Sequence, residues 1–436
     1  MSSNLQYKSK NWIIRFGIVI LFFLYIYPLK FVFIPGGIST RIIMGVVGLI
    51  MLIKYNGNRL YRISKITFHL LLSLFCVSFI SILSIELNGT SDYTFVFYPI
   101  SAIFIMGASF FLQECAKRKI SYTFPIIIDY FLYAVFLQNL VSVFLFFSPS
   151  IATTARSILI EADSTELMME STAGFRLNGF GIAFFGAGII NSIALIFGAY
   201  RIRAFSYDVK EMLKWIIIYT IIAITGIGMA RTTFVGIGLS FFVFIWESRF
   251  FNFKISKRLS NGITALGLFA LIFIGIIICL PSSLKSQLED ICNFAFELFI
   301  KYQNNGEVSS SSTDQLIDMY SILPSSLKTW IIGDGLWNDP KSSHYYMSTD
   351  IGYMRLIFYF GIIGLSMFML FQYYSIKYAI KKNKNRRLPL FLLFLICIIL
   401  NFKGITDIIA YSSLFFYTNS ENENPIYITI FQYRGR

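Results

Sequence analysis

The sequence predicts an all-α, polytopic integral membrane protein of about 12 transmembrane helices with one large exterior loop, and three observations predict it. The chain is 56% hydrophobic and only 14% charged, with a mean hydropathy of +0.67. That is more apolar surface than a water-soluble chain of 436 residues can bury, so the excess faces lipid. The apolar residues come in long separated runs, and none alternates polar and apolar at every second position as a β-barrel strand would. The basic residues fall on alternate loops: of 37 Lys and Arg, 26 lie on one side and 11 on the other. Loops that stay in the cytoplasm hold positive charge, so the asymmetry also sets orientation. In a soluble protein a formal charge of +14 would suggest nucleic acid. Here most of it sits in short loops, and no nucleic-acid partner is expected.

A helix needs about 20 apolar residues to cross a bilayer. The spans so read are 12–30, 37–53, 66–84, 94–113, 122–148, 179–200, 213–229, 232–246, 262–280, 351–376, 388–401 and 404–418. The first run is too long for a signal peptide and has no small-x-small cleavage site after it, so it reads as a transmembrane helix. The predicted cytoplasmic side carries Lys54, Arg59, Arg62 and Lys65, then Lys117, Arg118 and Lys119. Its densest cluster is Lys377, Lys381, Lys382, Lys384, Arg386 and Arg387. Every other loop is basic, which predicts an even number of spans and both termini inside. The domain reading is nine spans over 1–280 with an exterior loop at about 149–178, a large exterior loop at 281–350, three spans over 351–418, and a cytoplasmic tail at 419–436.

Loops above about 15 residues are usually functional or disordered, which directs attention to 281–350. Leu284, Leu288, Ile291, Ala295 and Leu298 repeat at helical spacing, so 284–301 is expected to form an amphipathic helix on the membrane or over the bundle. Asp314 is placed to cap a second short helix, and Gly333-Asp334-Gly335 marks a turn. The loop holds four Lys and nine Asp or Glu, so a few placed cations must do any work on phosphate.

Arg231 stands in Gly228-Met229-Ala230-Arg231-Thr232-Thr233, between two spans joined by almost nothing. A cation there is expensive unless paired or solvated, and arginine can grip a phosphate bidentately where lysine cannot. The alternative is an arginine snorkelling to the headgroups. Arg176 lies in Gly174-Phe175-Arg176-Leu177-Asn178-Gly179 before the sixth span, with glycines that permit close backbone approach. The alternative is an interfacial turn. His344, Asp350, Tyr353 and Arg355 cluster where the large loop enters the tenth span. His344 suits proton transfer near neutral pH, and Asp350 is placed to cap the helix beginning at Ile351. Lys403 and Asp407, four apart, are expected to pair on one helix face. Asp129 and His69 are expected to be solvated near span ends.

The five cysteines are scattered and form no CxxC pair, so neither a metal cluster nor a disulfide framework is indicated. There is no Walker A loop, Rossmann fingerprint, HExxH, GxSxG or Asp-x-Asp pair. ATP-driven transport, zinc chemistry and nucleotide-dependent transfer therefore have no sequence support.

At these residues the chain resembles the Wzy-type O-antigen polymerases, within the O-antigen polymerase/ligase group. The matching features are Gly174–Gly179 opening a span, Gly228–Thr233 at a tight turn, and the large loop ending in Gly333-Asp334-Gly335, His344 and Asp350–Arg355, followed by Gly361-Ile362-Ile363-Gly364-Leu365. The resemblance implies a GT-C-like fold in the bacterial inner membrane with a periplasmic active site. The substrates it implies are undecaprenyl-diphosphate-linked oligosaccharides, with no metal, nucleotide or other cofactor. Arg176, Arg231 and Arg355 would hold the diphosphate, His344 or Asp350 would act on the acceptor hydroxyl, and Tyr353 would orient substrate. A chain-length regulator is an implied partner. Some members carry Arg-x10-Gly signatures in two exterior loops, but here Leu167 and Ala187 occupy the glycine positions. The competing readings are an O-antigen ligase, which would usually have Asn and Leu after the loop histidine rather than Tyr345 and Tyr346, and a lipid-linked oligosaccharide flippase, which should show internal repeats. A non-catalytic length-control scaffold would have few spans and a coiled-coil exterior domain.

Overall fold

The computed structural model describes residues 12–56, 62–117, 119–160, 169, 171–172, 174–182, 184–205, 208–246, 282–306, 310–341, 344–418 and 427–429. The predicted span at 262–280 lies outside the described residues, as does most of the predicted tail. Apart from isolated bridges and one short antiparallel ladder, in which Arg62–Ser64 (β1) pairs with Tyr427–Thr429 (β2), the described secondary structure is helical.

In chain order the first helices are α1 (Trp12–Ile26), α2 (Thr40–Asn56), α3 (Lys65–Asn88), α4 (Tyr98–Lys117), α5 (Phe124–Phe146) and α6 (Pro149–Ser157). Then follow α7 (Phe184–Ala204), α8 (Val209–Met229), α9 (Thr233–Trp246) and α10 (Ser282–Asn305). The last are α11 (Ser311–Tyr320), α12 (Leu327–Ile332), α13 (Gly352–Lys382), α14 (Arg387–Leu400) and α15 (Ile409–Ser412). Six of them, α3, α4, α5, α7, α8 and α13, are long and apolar enough to cross a membrane, and α1, α9 and α14 are shorter apolar helices. The chain is therefore a multi-pass membrane protein.

The predicted span at 404–418 is not one helix. A loop runs to Ile408, then α15 and a 3-10 turn at Ser413–Phe415 follow. Local side chains take the backbone groups a helix would need. Asn401 Nδ2 donates to the carbonyls of Cys397 and Thr406 at 2.7 and 3.1 Å, and its Oδ1 accepts from Thr406 N at 3.2 Å. Asp407 Oδ1 accepts from Ile409 N at 2.9 Å.

The chain forms two compact units: one of Met1–Arg15, Arg41–Ile127 and Ser311–Arg436, the other of Phe16–Thr40 and Ile128–Ser310. In the first unit α2 and α4 cross with their backbones touching. A Cβ added at Gly48 would stand 1.9 Å from the Gly107 carbonyl oxygen, so the crossing needs small residues. Nearby, Val77, Phe95, Leu356, Tyr359, Phe360 and Phe368 form a buried cluster between α3 and α13.

Helix α13 is broken inside this cluster. Phe360 leaves helical geometry (φ −137°, ψ 19°), and Gly361 takes φ 68° with ψ −175°, which is open only to glycine. A break in an apolar helix frees carbonyls that lipid cannot satisfy. Here the predicted Gly333–Gly335 turn satisfies them: Asp334 N donates to Phe358 O at 2.6 Å and Gly335 N to Tyr359 O at 3.0 Å. Ser84 Oγ adds a second bond to Tyr359 O at 2.8 Å.

In the second unit α7 is central. Every residue from Ala187 to Arg201 is buried, and Gly188 and Gly198 let the Ala230–Thr232 turn and Tyr219 of α8 lie close against it. Its polar groups are matched across helices: Asn139 Nδ2 donates to Asn191 Oδ1 at 3.0 Å, and Thr225 Oγ1 donates to Asn139 Oδ1 at 2.5 Å. Asp129 is not solvated as the sequence reading expected. It is 1% exposed and grips Arg201 at both carboxylate oxygens, Nε–Oδ1 2.5 Å and Nη2–Oδ2 3.0 Å. An apolar interior drives such a pairing, because an unpartnered charge there is far costlier than the ion pair.

Candidate functional site

The second unit brings Arg176 and Arg231 together. Helix α8 ends at Met229, and Ala230 turns to extended geometry. The short turn to α9 is fixed by Thr233 Oγ1 donating back to Gly226 O at 2.8 Å and by Ser192 Oγ donating to Thr232 O at 3.1 Å. The Arg176 segment is stitched to this turn by Leu177 N donating to Gly228 O at 3.1 Å and Arg176 Nε donating to Met229 O at 2.7 Å. Gly228 allows the approach, since a Cβ there would already be 3.1 Å from the Leu177 side chain. Two motifs about fifty residues apart in sequence thus present their arginines side by side.

Helix α10 supplies the rest of the site. The Arg176 and Arg231 guanidinium carbons lie 5.1 and 4.8 Å from the Phe294 ring centroid, and Arg176 also lies 4.4 Å from that of Phe184. Arg231 Nη1 is 2.8 Å from Glu297 Oε2, yet its N–H is not aligned for a hydrogen bond, so the contact is an ion pair. Lys301 Nζ is 3.3 Å from the other carboxylate oxygen of Glu297. Burial, and secondarily the neighbouring Arg231, push the Arg176 guanidinium down to about 10, which still leaves it a cation at neutral pH. Arg231 and Lys301 therefore share one carboxylate, and Arg176 is held against the same Phe294 ring as Arg231. Among the described residues no second carboxylate pairs with either arginine.

Arg355, His344, Asp350 and Tyr353 belong to the first unit. Arg355 is 8% exposed, with its guanidinium carbon 3.8 Å from the Trp337 ring centroid and 3.5 Å from that of Tyr345. Among the described residues its Nε and Nη2 have no hydrogen-bond partner. The two rings are held by a hairpin in which Asn338 bridges Tyr345 and Tyr346 N donates to Trp337 O at 3.2 Å. Asp92 anchors the hairpin by accepting from Trp337 N at 2.8 Å. Asp334 braces it, accepting from Thr329 Oγ1 at 2.7 Å and from the Tyr346 hydroxyl at 3.3 Å.

His344 is exposed on the hairpin, where its carbonyl accepts from Asp339 N at 3.0 Å. Asp350 does not cap α13: the capping position is Ile351, and no side chain caps that end. The carboxyl of Asp350 is exposed, but the protein behind it removes enough water to push it above the usual carboxylate range, against the opposing pull of Arg355 and Lys403. Tyr353 donates its hydroxyl to Ile398 O at 2.8 Å, which ties it to α14. Lys403 and Asp407 do not share a helix face, because the chain there is a loop. Asp407 instead accepts from the Tyr98 hydroxyl at 2.8 Å and from Gln372 Nε2 at 3.0 Å. His69 is half-buried and stacks on Tyr374 with centroids 5.3 Å apart, rather than standing in solvent.

The sequence reading missed Phe294, Glu297 and Lys301, although their spacing of three and four places them on one face of the predicted amphipathic helix. It also missed Trp337 and Tyr345, which only a hairpin brings to Arg355. No family model, curated protein or solved structure matches this chain.

Proposed function

We propose that this chain polymerises undecaprenyl-diphosphate-linked O-antigen repeat units at the periplasmic face of the bacterial inner membrane, with a GT-C-like arrangement of its spans. The observation that carries the reading is the gathering of Arg176 and Arg231, from two separate motifs, around one phenylalanine ring. A diphosphate leaving group develops negative charge as the glycosidic bond breaks, and preorganised guanidinium groups lower the energy of that state. Arg176 and Arg231 fill this role in the proposal. The acceptor hydroxyl of one repeat attacks the anomeric carbon of the growing chain on another carrier. The C–O bond to the diphosphate breaks, and undecaprenyl diphosphate leaves with the electron pair. The hydroxyl proton goes to His344 or Asp350. Asp350 suits the task because its carboxyl holds a proton more tightly than usual. Arg355, whose Nε and Nη2 have no hydrogen-bond partner among the described residues and which lies against the Trp337 and Tyr345 rings, is proposed as a further anion contact. The reaction calls for no nucleotide or metal, and a chain-length regulator is the expected partner.

The test is deletion of the gene in its host, complementation with wild type or Arg231→Ala, and a gel of the lipopolysaccharide. A ladder that collapses to core plus one repeat, restored by wild type and not by Arg231→Ala, is the expected result. Loss of the single-repeat band as well would replace this reading with a ligase or a flippase. Carrier-linked polymer accumulates only in a ligase mutant and separates those two.

A further inference from the structure

Glu297 occupies an unusual place for a carboxylate. It pairs with Arg231 at 2.8 Å and with Lys301 at 3.3 Å, beside a second arginine that has no acidic partner among the described residues. Arg231 and Lys301 both lean on this one carboxylate, and Arg176 lies against the same Phe294 ring as Arg231. A diphosphate diester carries two negative charges. The chain next to Glu297 is also distorted: α10 departs from helical geometry at Phe296 (φ −108°, ψ 16°), the residue immediately before it. A local break is where a helix absorbs a change in direction at little cost. The two side chains are partly exposed, Arg231 at 14% and Glu297 at 22%, although the pairing nitrogen Nη1 is itself buried.

We propose that Glu297 is a placeholder anion on Arg231, and that a lipid-linked diphosphate binds by displacing it and taking Lys301 as a third cation. The inference rests on the diphosphate reading of the Arg176–Arg231 site. A doubly charged ligand outcompetes a single carboxylate for the same guanidinium by its larger Coulomb attraction. Displacement also breaks the Glu297–Lys301 pair, and Lys301, four residues further along the same helix, turns to contact phosphate. In the unliganded protein Glu297 offsets part of the Arg231 charge that bears on Arg176.

The experiment uses the full chain purified in detergent, with inorganic pyrophosphate as probe and calorimetric titration as readout. Wild type is expected to bind, and Arg231→Ala to bind much more weakly. Glu297→Gln keeps the shape and removes the competing charge, so it is expected to bind roughly two- to fivefold more tightly than wild type. Lys301→Gln is expected to bind more weakly. Arg231-dependent binding that Glu297→Gln leaves unchanged or weakens would overturn the placeholder while leaving the diphosphate site standing. If pyrophosphate affinity is indifferent to Arg231, the diphosphate site and the placeholder both fall. Should Glu297→Gln not purify as a monodisperse protein, Lys301→Gln decides alone, because unchanged affinity there contradicts the recruitment of Lys301.

Discussion

Arginine chemistry separates the residues that matter from those that only pack. At Arg231 a lysine keeps the charge but loses the planar fork that meets two phosphate oxygens at once. Arg231→Lys is therefore predicted to cut polymerisation by roughly a hundredfold, as losing one preorganised donor does. An in vitro polymer-length assay checks this, and near-normal chain lengths would sink the bidentate clamp. Arg201 is the contrasting case, since its guanidinium is spent on Asp129. Breaking that buried pair with Asp129→Ala should destabilise the protein by about 3 to 5 kcal/mol, read as a lower melting temperature in detergent. At Asp350 the sign follows from proton counting. Its folded carboxyl holds a proton above the usual carboxylate range, so its contribution is full below that range and lost as pH rises through the raised value. Asp350→Asn should flatten the stability profile in that window, and an unaltered profile would show that Asp350 does not produce the slope. The two central arginines were legible in sequence, because a cation between apolar runs is conspicuous. Glu297 was not, because a carboxylate in an acidic loop has nothing to mark it until the fold sets it against Arg231.

The elements explain why these residues meet. Helix α10 was visible in its apolar periodicity, and its distortion at Phe296 was not, since no proline or glycine signals it. The break in α13 is the opposite case. Gly361 was part of a recognisable glycine-containing stretch, but its role depends on the Gly333–Gly335 turn inserting beside it. A Cβ at Gly361 would lie 2.1 Å from the Ile331 carbonyl oxygen, on a backbone only glycine adopts comfortably. Gly361→Ala is predicted to cost about 2 kcal/mol or more, measured as a fall in thermal stability. A melting temperature equal to wild type would mean that α13 straightens without penalty. The stretch 404–418 read as a span because its hydropathy is high. Asn401 just before it and Thr406 and Asp407 within it divert the backbone, and an average over many residues hides such polar side chains. Asp350 read as a helix cap from its position, yet α13 begins one residue later and Ile351 takes the place.

For the whole molecule, the proposed function puts the Arg176 and Arg231 segments and α10 on the periplasmic side, in keeping with the alternation of basic loops. Cys292 on α10 is a free, exposed thiol, so a membrane-impermeant maleimide should label it in intact spheroplasts, with the label lost in Cys292→Ser. Labelling only after permeabilisation would reverse the orientation. Six long apolar helices and three shorter ones were recognisable because length and hydropathy are properties of sequence alone. The division into two units was not, since each unit is assembled from segments far apart in the chain. The central claim is that the paired arginines hold a lipid-linked diphosphate as the leaving group. Its most direct test is the purified chain reconstituted in proteoliposomes with undecaprenyl-diphosphate-linked repeats, following polymer and released undecaprenyl diphosphate together. The account predicts that wild type forms both in step and that Arg176→Lys and Arg231→Lys each lose both. Polymer formation undiminished by either substitution, or no turnover by wild-type protein that binds the repeats, would contradict it.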